Sequence, residues 1–142
     1  MSADSFFDSN VLLYQLDQTD PHKHAVAERL IGRALSHGDA CISFQVVQEC
    51  LNTVLRKARV RLDSAPARSW LGSVLAPLCQ VQPSTAFYLR GLDLQERWKF
   101  SFYDSLIVAA ALEAGCKRLL SEDFQHGQRI EGLRIENPFR LA

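Results

Sequence analysis

The sequence lacks any apolar run long enough to cross a bilayer as a helix, which takes about 20 consecutive apolar residues. Its first five residues, Met-Ser-Ala-Asp-Ser, include an acidic side chain and no basic one, which is not the pattern of a secretory signal peptide. From these two absences we expect a protein that works in the cytoplasm and has no membrane partner.

The chain also has no excess of either charge. Its 16 Lys and Arg residues balance 16 Asp and Glu residues. A typical nucleic-acid-binding domain has a basic excess. The balance does not exclude nucleic acid, because acidic active-site residues can offset a basic patch, but any electrostatic attraction must then be local. The densest basic run, residues 56–61, is either a cationic helix end that suits the helix dipole or a phosphate-guiding surface, with Arg56 and Arg59 as candidate contacts.

Cysteine is scarce and scattered. The four residues, Cys41, Cys50, Cys79 and Cys116, form no Cys-x-x-Cys pair, so a zinc site of the usual spacing is not visible. They lie among apolar neighbours, which predicts reduced, buried thiols of a cytoplasmic protein.

What the sequence does contain is a regular alternation of short apolar segments with helical patterns. Its 142 residues, 47% of them hydrophobic, are enough for one domain with its own core, residues 1–142. We predict strands at residues 5–8, 40–42, 78–81 and 118–120, with a possible fifth at the edge of the sheet at 133–135. The alternation predicts an α/β fold with a central, mostly parallel sheet of four to five short strands flanked by helices.

The predicted helices follow each strand and are marked by capping residues. They cover residues 9–16, 21–37, a segment that begins after Ser43, a segment that begins at 63–66, residues 83–98 and residues 103–114. In the third helix the expected buried stripe is Val47, Leu51, Val54, Leu55 and Ala58. The His-Lys-His triplet at residues 22–24 is expected to be solvated at a helix start.

Four acidic residues lie at the ends of these elements: Asp8, Glu49, Asp104 and Asp123. Each has a local explanation. Asp8 is a possible helix cap, Glu49 a possible solvated charge, Asp104 the fourth residue of a Ser-x-x-Asp capping box, and Asp123 a possible Asx turn. The combination carries more weight than any one residue.

Asp8 and Asp123 both follow strands, and the carboxyl ends of parallel strands are where such sheets bind ligands. Carboxylates about 4 Å apart repel by roughly 1 kcal/mol in water and about 4 kcal/mol at an effective dielectric near 20. A cluster of them therefore implies either protonation or a hard divalent cation.

The settings of the four acids resemble the motifs of PIN-domain nucleases, most closely the small ribonuclease toxins of bacterial VapBC toxin–antitoxin modules. Asp8-Ser-Asn10-Val resembles the opening motif of the family, and Ser43 with Glu49 resembles the second. Tyr-Asp104 followed by Leu-Ile-Val-Ala-Ala-Ala resembles the third motif. The stretch Ser121-Glu-Asp123-Phe resembles the fourth, in which either Glu122 or Asp123 faces the metal, with Asp123 favoured by spacing. The likeness covers nearly the whole chain.

This resemblance implies a PIN-like three-layer domain and an endoribonuclease that uses Mg²⁺ or Mn²⁺. Asp8, Asp104 and Asp123 would hold the ion, and Glu49 would complete the shell or orient the attacking water, leaving a 5′-phosphate and a 3′-hydroxyl. Asn10 and Ser121 would support the site. The family further implies a homodimer and a small antitoxin whose C-terminal segment inserts a basic residue into the acidic cleft.

Two other functions remain open from the sequence. One is a non-catalytic interaction module whose acidic pocket accepts a basic partner peptide. The other is a phospho-acceptor receiver domain, which needs paired acids beside the acceptor and a late lysine. It ranks lower, because Asp4 lies on the wrong side of the first strand.

Overall fold

The computed structural model describes residues 3–56 and 59–140 of the chain. Its central sheet has six strands in the order β3-β2-β1-β4-β6-β5. Their bounds are β1 Ser5–Phe7, β2 Ala40–Ser43, β3 Cys79–Val81, β4 Arg118–Leu120, β5 Arg129–Ile130 and β6 Leu133–Glu136. Every pairing is parallel except that of β5 with β6. The expected mostly parallel α/β fold is therefore confirmed.

The central strands are buried on both faces. All residues of β1 and β2 are buried, although successive side chains of a strand point to opposite faces. Phe6 pairs with Cys41 on one side and with Leu119 on the other. Burial of consecutive residues shows that helices cover this part of the sheet from both sides, as in parallel sheets generally.

Several helices begin at a capping residue, although the first helix ends at Leu13, three residues before its predicted end at residue 16. Their bounds are α1 Ser9–Leu13, α2 Pro21–His37, α3 Phe44–Val54, α4 Ser64–Trp70, α5 Ala76–Leu78, α6 Thr85–Trp98 and α7 Phe102–Glu113, with a π-helical turn at Leu71–Leu75 between α4 and α5. The Asp20 side chain accepts a hydrogen bond from the Lys23 amide at the start of α2. Gly38, with φ 69°, ends that helix in the left-handed conformation.

Helix α7 is the most buried helix of the fold. Its residues from Ser105 to Ala111 are all buried, as expected for a helix that is apolar on nearly all sides. It packs against α6 at Gly91, where an added Cβ would lie only 2.6 Å from a methyl carbon of Leu106. A side chain at residue 91 would therefore force the buried Leu106 side chain to shift.

Two features of the sheet differ from the sequence prediction. It has one strand more than the four or five expected, because β5 is only two residues long and too short to show alternation. The segment around Leu133 is not the edge strand, since β6 lies between β4 and β5. A turn through Glu131, with φ 56°, joins the two short strands.

The buried face of α3 also differs from the expected stripe. Val46, Cys50 and Val54 are fully buried, whereas Leu55 is 52% exposed. The helix is rotated so that the polar side chain of Gln45 also points inward, at 5% exposure. Val46, Cys50 and Val54 form a second apolar stripe beside the expected one, so periodicity alone does not decide which of the two stripes is buried. Ala58, the last residue of the expected stripe, lies outside the described residues.

Within residues 3–56 and 59–140, no helix combines the length and the apolar character that a membrane crossing requires. All four cysteines are free thiols. Cys41, Cys50 and Cys116 are buried, and Cys79 is partly exposed.

Candidate active site

The first acid, Asp8, directly follows β1 and is 6% exposed. Its backbone amide donates to the Leu120 carbonyl of the neighbouring strand β4 (3.0 Å). One carboxylate oxygen accepts from the Ser9 amide and the other from the Ser121 hydroxyl, both at 2.8 Å. Asp8 thus occupies the cap position of α1, as its local explanation predicts, and its second oxygen also ties it to the end of β4.

Asp123 reaches the same place from the loop after β4. The Asn10 side-chain amide donates to its carboxylate (3.1 Å) and lies 3.4 Å from the Ser121 hydroxyl oxygen. The Asp123 backbone amide donates to that hydroxyl oxygen (3.0 Å). Ser121 therefore binds Asp8 and Asp123 at once, and it is fully buried.

Glu49 is half-buried on α3, one turn after Gln45. The Gln45 amide nitrogen lies 3.4 Å from the Glu49 carboxylate and donates to the Tyr103 carbonyl at the start of α7 (3.1 Å). The other amide atom of Gln45, Oε1, is buried without a hydrogen-bond partner in the described part of the chain. Gln45 therefore connects the helices that carry Glu49 and Asp104.

Asp104 is exposed in the first turn of α7. The Ser101 hydroxyl accepts a hydrogen bond from its backbone amide (3.1 Å), which is one half of the expected capping box. The other half, from the Ser101 amide to the Asp104 carboxylate, is absent among the described residues. The Asp104 carboxylate thus accepts no capping hydrogen bond. Replacing it leaves the bond from the Asp104 amide to the Ser101 hydroxyl in place.

The electrostatics of Asp8 are those of an acid in a crowded negative site. Burial raises its pKa from 3.8 to about 6, with further increases from the charges of Glu49 and Asp123, while hydrogen bonds from Ser121 and Ser9 oppose the rise. The carboxylate therefore resists ionisation even though two donors stabilise its charged form.

The pKa of Glu49 is also raised, first by burial and then by the charges of Asp104 and Asp123, while hydrogen bonds from Gln45 and Ser9 lower it. All four acids thus interact electrostatically, directly or through Glu49. None of them forms an ion pair with a cationic side chain within residues 3–56 and 59–140. The site therefore carries negative charge that the described protein does not neutralise.

Glu122 and Asp123 face different surroundings. The Glu122 carboxylate accepts from the Tyr14 hydroxyl (2.7 Å) and pairs with Lys23 (2.9 Å). Asp123 has no cationic partner among the described residues and lies beside Asn10. Lys23 is therefore not simply solvated at the start of α2, as expected from the sequence, because it holds Glu122 in an ion pair.

The basic run at residues 56–61 offers less unpaired positive charge than its sequence suggests. Arg59 binds the Asp17 carboxylate (2.8 Å) and the Thr19 hydroxyl (2.7 Å). Arg56 is exposed after the end of α3. Lys57 and Ala58 lie outside the described residues. Arg59 is thus a structural ion-pair partner that still has unused guanidinium donors.

The donor chemistry of the acid site fits a hard divalent cation, since carboxylate oxygens are the ligands that Mg²⁺ and Mn²⁺ prefer. The unneutralised negative charge of the site and the raised pKa of Asp8 also favour the binding of a cation. In the described residues, however, no three His, Cys, Asp or Glu side chains are near enough to one another to hold a metal ion as they stand. Asp104 and Asp123 are exposed, so their side chains can turn toward an ion with little loss of packing.

Several site residues were not predicted as such. Gln45 had a signal, because it lies four residues before Glu49 and therefore on the same face of a helix. Tyr14 and Lys23 had none, since 99 residues separate Lys23 from Glu122 in the sequence. Contacts of that range appear only in the folded chain.

Comparison with known proteins identifies the architecture. The family model of the PIN domain matches residues 5–129. No curated protein sequence is significantly similar to the chain.

Three solved structures share the fold at low sequence identity. A toxin–antitoxin complex from Klebsiella pneumoniae is 15% identical with a TM-score of 0.64, over 96% of this chain and 99% of that one. VapC20 from Mycobacterium tuberculosis, described as a sarcin–ricin loop cleaving toxin, is 16% identical with a TM-score of 0.60, over 84% and 91%. VapBC2 from Rickettsia felis, bound to a DNA fragment from its promoter, is 15% identical with a TM-score of 0.65, over 94% and 97%.

Proposed function

The chain belongs to the PIN-domain family, and from that premise we propose that it is a metal-dependent endoribonuclease, the toxin of a VapBC-type toxin–antitoxin module. Residues 1–142 form its single PIN-like nuclease domain, which acts in the cytoplasm. The observation that carries the proposal is the group of four acids at the carboxyl ends of the strands, which meet no cation among the described residues. Burial, and after it the charges of the neighbouring acids, raises the pKa of Asp8 and of Glu49.

Asp8, Glu49, Asp104 and Asp123 are the residues that would hold Mg²⁺ or Mn²⁺. When bound, the cation supplies charge stabilisation at the phosphate and a nucleophilic water at neutral pH. Loss of the acid protons is part of binding, because carboxylates ligate in their ionised form. The raised pKa of Asp8 means that this step becomes easier as the pH rises through about 6.

The surrounding residues orient the acids. Ser9 and Ser121 fix both oxygens of Asp8, and Asn10 fixes Asp123. Gln45 holds Glu49, which completes the ligand set or orients the attacking water. A fixed arrangement of this kind lowers the cost of reorganisation during the reaction. Hydrolysis by water leaves a 5′-phosphate and a 3′-hydroxyl.

The test is cleavage of structured RNAs by the purified protein in Mg²⁺, in Mn²⁺ and in EDTA, with Asp8→Asn purified in parallel. We expect cleavage by the wild type with either metal, none in EDTA, and recovery when metal is restored. The product ends are checked with an exonuclease that requires a 5′-phosphate. Equal cleavage in EDTA by the wild type and by Asp8→Asn would indicate a contaminating ribonuclease, and both proteins would have to be purified further. Full cleavage in EDTA by wild type from which that contaminant has been excluded would reject the mechanism.

We also propose a small cognate antitoxin and a homodimer as the assembly. An acidic site without a protein cation suits a partner peptide that carries arginine, because a guanidinium forms bidentate, charge-assisted bonds with carboxylates. The structural likeness to two toxin–antitoxin complexes supports this partner. The helices around residues 47–55 and 70–75 are the candidate rim, and Val47 and Leu71 line one cleft there.

Expression of the chain in bacteria tests this partnership. We expect expression alone to slow growth, and co-expression of a neighbouring small gene to restore it. Substitution of the antitoxin arginine should weaken inhibition, since truncating one member of a buried charge pair typically costs about 2 to 5 kcal/mol.

The alternative is a non-catalytic PIN-like module that binds a basic peptide. It is favoured by one observation, the lack among the described residues of three acids close enough to hold an ion as they stand. A soluble chain that binds the partner, cleaves no RNA in either metal and does not affect growth would establish the module instead.

A further inference from the structure

A cleft of about 290 Å³ opens beside the acid site, between α1, α3 and the segment that follows α3. We refer to it as the α1–α3 cleft. The residues that line it include Asn10, Leu13, Tyr14, Thr53, Arg59 and Val60. Its volume is at the lower end of the range of small-molecule pockets, which begins at roughly 300 Å³.

The α1–α3 cleft is continuous with the acid site through one side chain. Asn10 lines the cleft, and its amide donates to the Asp123 carboxylate (3.1 Å). Glu122, the neighbour of Asp123 in sequence, lines the cleft from the same loop. The cleft and the acid site therefore share the Asn10 side chain and the loop that carries Glu122 and Asp123.

The charges around the cleft are neutralised in pairs. Arg59 pairs with Asp17 (2.8 Å), and Lys23 pairs with Glu122 (2.9 Å). The acid site a few residues away has no such partners among the described residues. An arginine side chain is therefore attracted to the acids more than to the cleft, whereas an uncharged group loses nothing by entering the cleft.

The remaining surface of the cleft combines apolar walls with hydrogen-bonding groups at the edge. Leu13, Val60 and Tyr14 supply apolar surface. Arg59 uses only its Nη2 atom for hydrogen bonds within the described residues, and a guanidinium has five N–H donors. The Thr53 hydroxyl donates to the Glu49 carbonyl (2.8 Å) and can still accept. Flat apolar faces with a polar edge are the features of a nucleobase, and RNA-binding proteins read unpaired bases by contacts to both.

We propose that the α1–α3 cleft is a subsite for one unpaired nucleobase of the RNA substrate, next to the scissile phosphate, and that it selects the nucleotide that flanks the cleaved bond. The proposal rests on the proposed ribonuclease function. Arg59 is in this view a specificity residue that contacts the base edge, and not a general guide for phosphates.

The test maps cleavage in a pool of single-stranded RNAs with random sequence, in Mg²⁺ or Mn²⁺, by sequencing the product ends. The wild type is compared with Thr53→Phe, which fills the α1–α3 cleft. The control is Leu30→Phe, which adds bulk in a separate cleft of about 470 Å³ between α2 and the sheet. We expect the wild type and Leu30→Phe to prefer one base beside the cut by about tenfold or more, and Thr53→Phe to cut all four within about twofold.

The outcomes separate the two proposals. Cleavage by the wild type without any base preference beside the cut overturns the subsite and leaves the ribonuclease intact. Absence of cleavage in either metal overturns both. If Thr53→Phe keeps the wild-type preference but is no longer inhibited by the antitoxin, the cleft binds the partner peptide and the subsite is wrong. If Thr53→Phe does not fold, as judged by circular dichroism, Leu13→Phe replaces it in the experiment, because it fills the same cleft from α1. The same results then support or overturn the subsite.

Discussion

The two ends of the parallel strands differ in whether their charged side chains are paired. At the amino ends, Asp39 pairs with Arg33 (2.6 Å), and Arg118 donates to the Ser5 hydroxyl (2.9 Å). At the carboxyl ends, Asp8, Glu49, Asp104 and Asp123 have no cationic partner among residues 3–56 and 59–140. Both ends are polar, but only the carboxyl ends accumulate charge of one sign.

This difference distinguishes charged side chains that are paired within the fold from those that are available to bind a ligand. A carboxylate paired with an exposed arginine is stable as it stands and gains little from a ligand. Repulsion between unpaired acids raises their pKa values and lowers the stability of the fold. Proteins keep such acids mainly at functional sites, where a bound ligand neutralises the charge. The contrast is thus a physical reason to place the reaction at the carboxyl ends, independent of family membership.

The largest expected effect is the loss of cleavage on removing one acid at the carboxyl ends. Asp8→Asn and Asp123→Asn should each lower the rate of RNA cleavage by more than about a hundredfold, because loss of a direct ligand exceeds the 10–100-fold typical of residues that support ligands. The rate is measured with a fluorescent RNA substrate at matched protein concentration. The control is Asp39→Asn, the same chemical change at the amino ends. Wild-type rates for both Asp8→Asn and Asp123→Asn would mean that the charge contrast does not mark the active site.

The second effect concerns stability and pH in the absence of metal. The pKa of Asp8 is raised to about 6 in the folded chain, from 3.8. Its protonation therefore favours folding, a contribution that is complete below pH 3.8 and is lost as the pH rises through about 6. At about 1.4 kcal/mol per pH unit, the loss amounts to at most about 3 kcal/mol.

Urea unfolding of the metal-free protein between pH 4 and 7 measures this loss. The wild type should lose more stability over that window than Asp8→Asn, which has no proton to release at that position. Added Mg²⁺ or Mn²⁺ should restore stability to the wild type near pH 7. Parallel stability curves for the two proteins would show that Asp8 ionises as freely in the folded chain as in the unfolded one.

A smaller effect is expected for the serine that joins two of the acids. Ser121→Ala removes the donor to Asp8 and the acceptor for the Asp123 amide, and it should lower cleavage by about 10–100-fold while the protein stays folded. Its matched control is Ser5→Ala, the buried serine at the other end of the strands, which accepts from Arg118. We expect Ser5→Ala to cleave at the wild-type rate. Equal losses in both serine variants would indicate a general effect on the sheet.

The smallest effect should come from the paired acid at the amino ends. Asp39→Asn breaks the ion pair with Arg33, whose side chain is 68% exposed, and should cost about 0.2–1 kcal/mol of stability. Thermal unfolding in low and high salt measures this, and the cost should shrink as salt screens the pair. A larger loss, or a change in RNA cleavage, would show that the amino ends do more than neutralise their own charge.

Much of the fold could be predicted from local sequence, and the errors of that prediction have identifiable causes. Gly38 ends α2 and Ser101 caps α7 as predicted, because capping depends on residues within one turn. The strand at Arg129 was missed because two residues cannot show a period. The rotation of α3 was missed because two apolar stripes lie side by side on this helix, and the bond from Gln45 to the Tyr103 carbonyl of α7 is seen only in the folded chain.

The sequence by itself determined the alternation of strands and helices, the caps, and which acids follow which strands. These are properties of short segments, in which neighbouring residues interact through the backbone. Only the tertiary structure decided that Ser121 binds Asp8, that Lys23 pairs with Glu122, and that Asp17 pairs with Arg59. Each of those contacts joins residues far apart in the chain, and burial and charge act through distance in space, which the order of residues does not record.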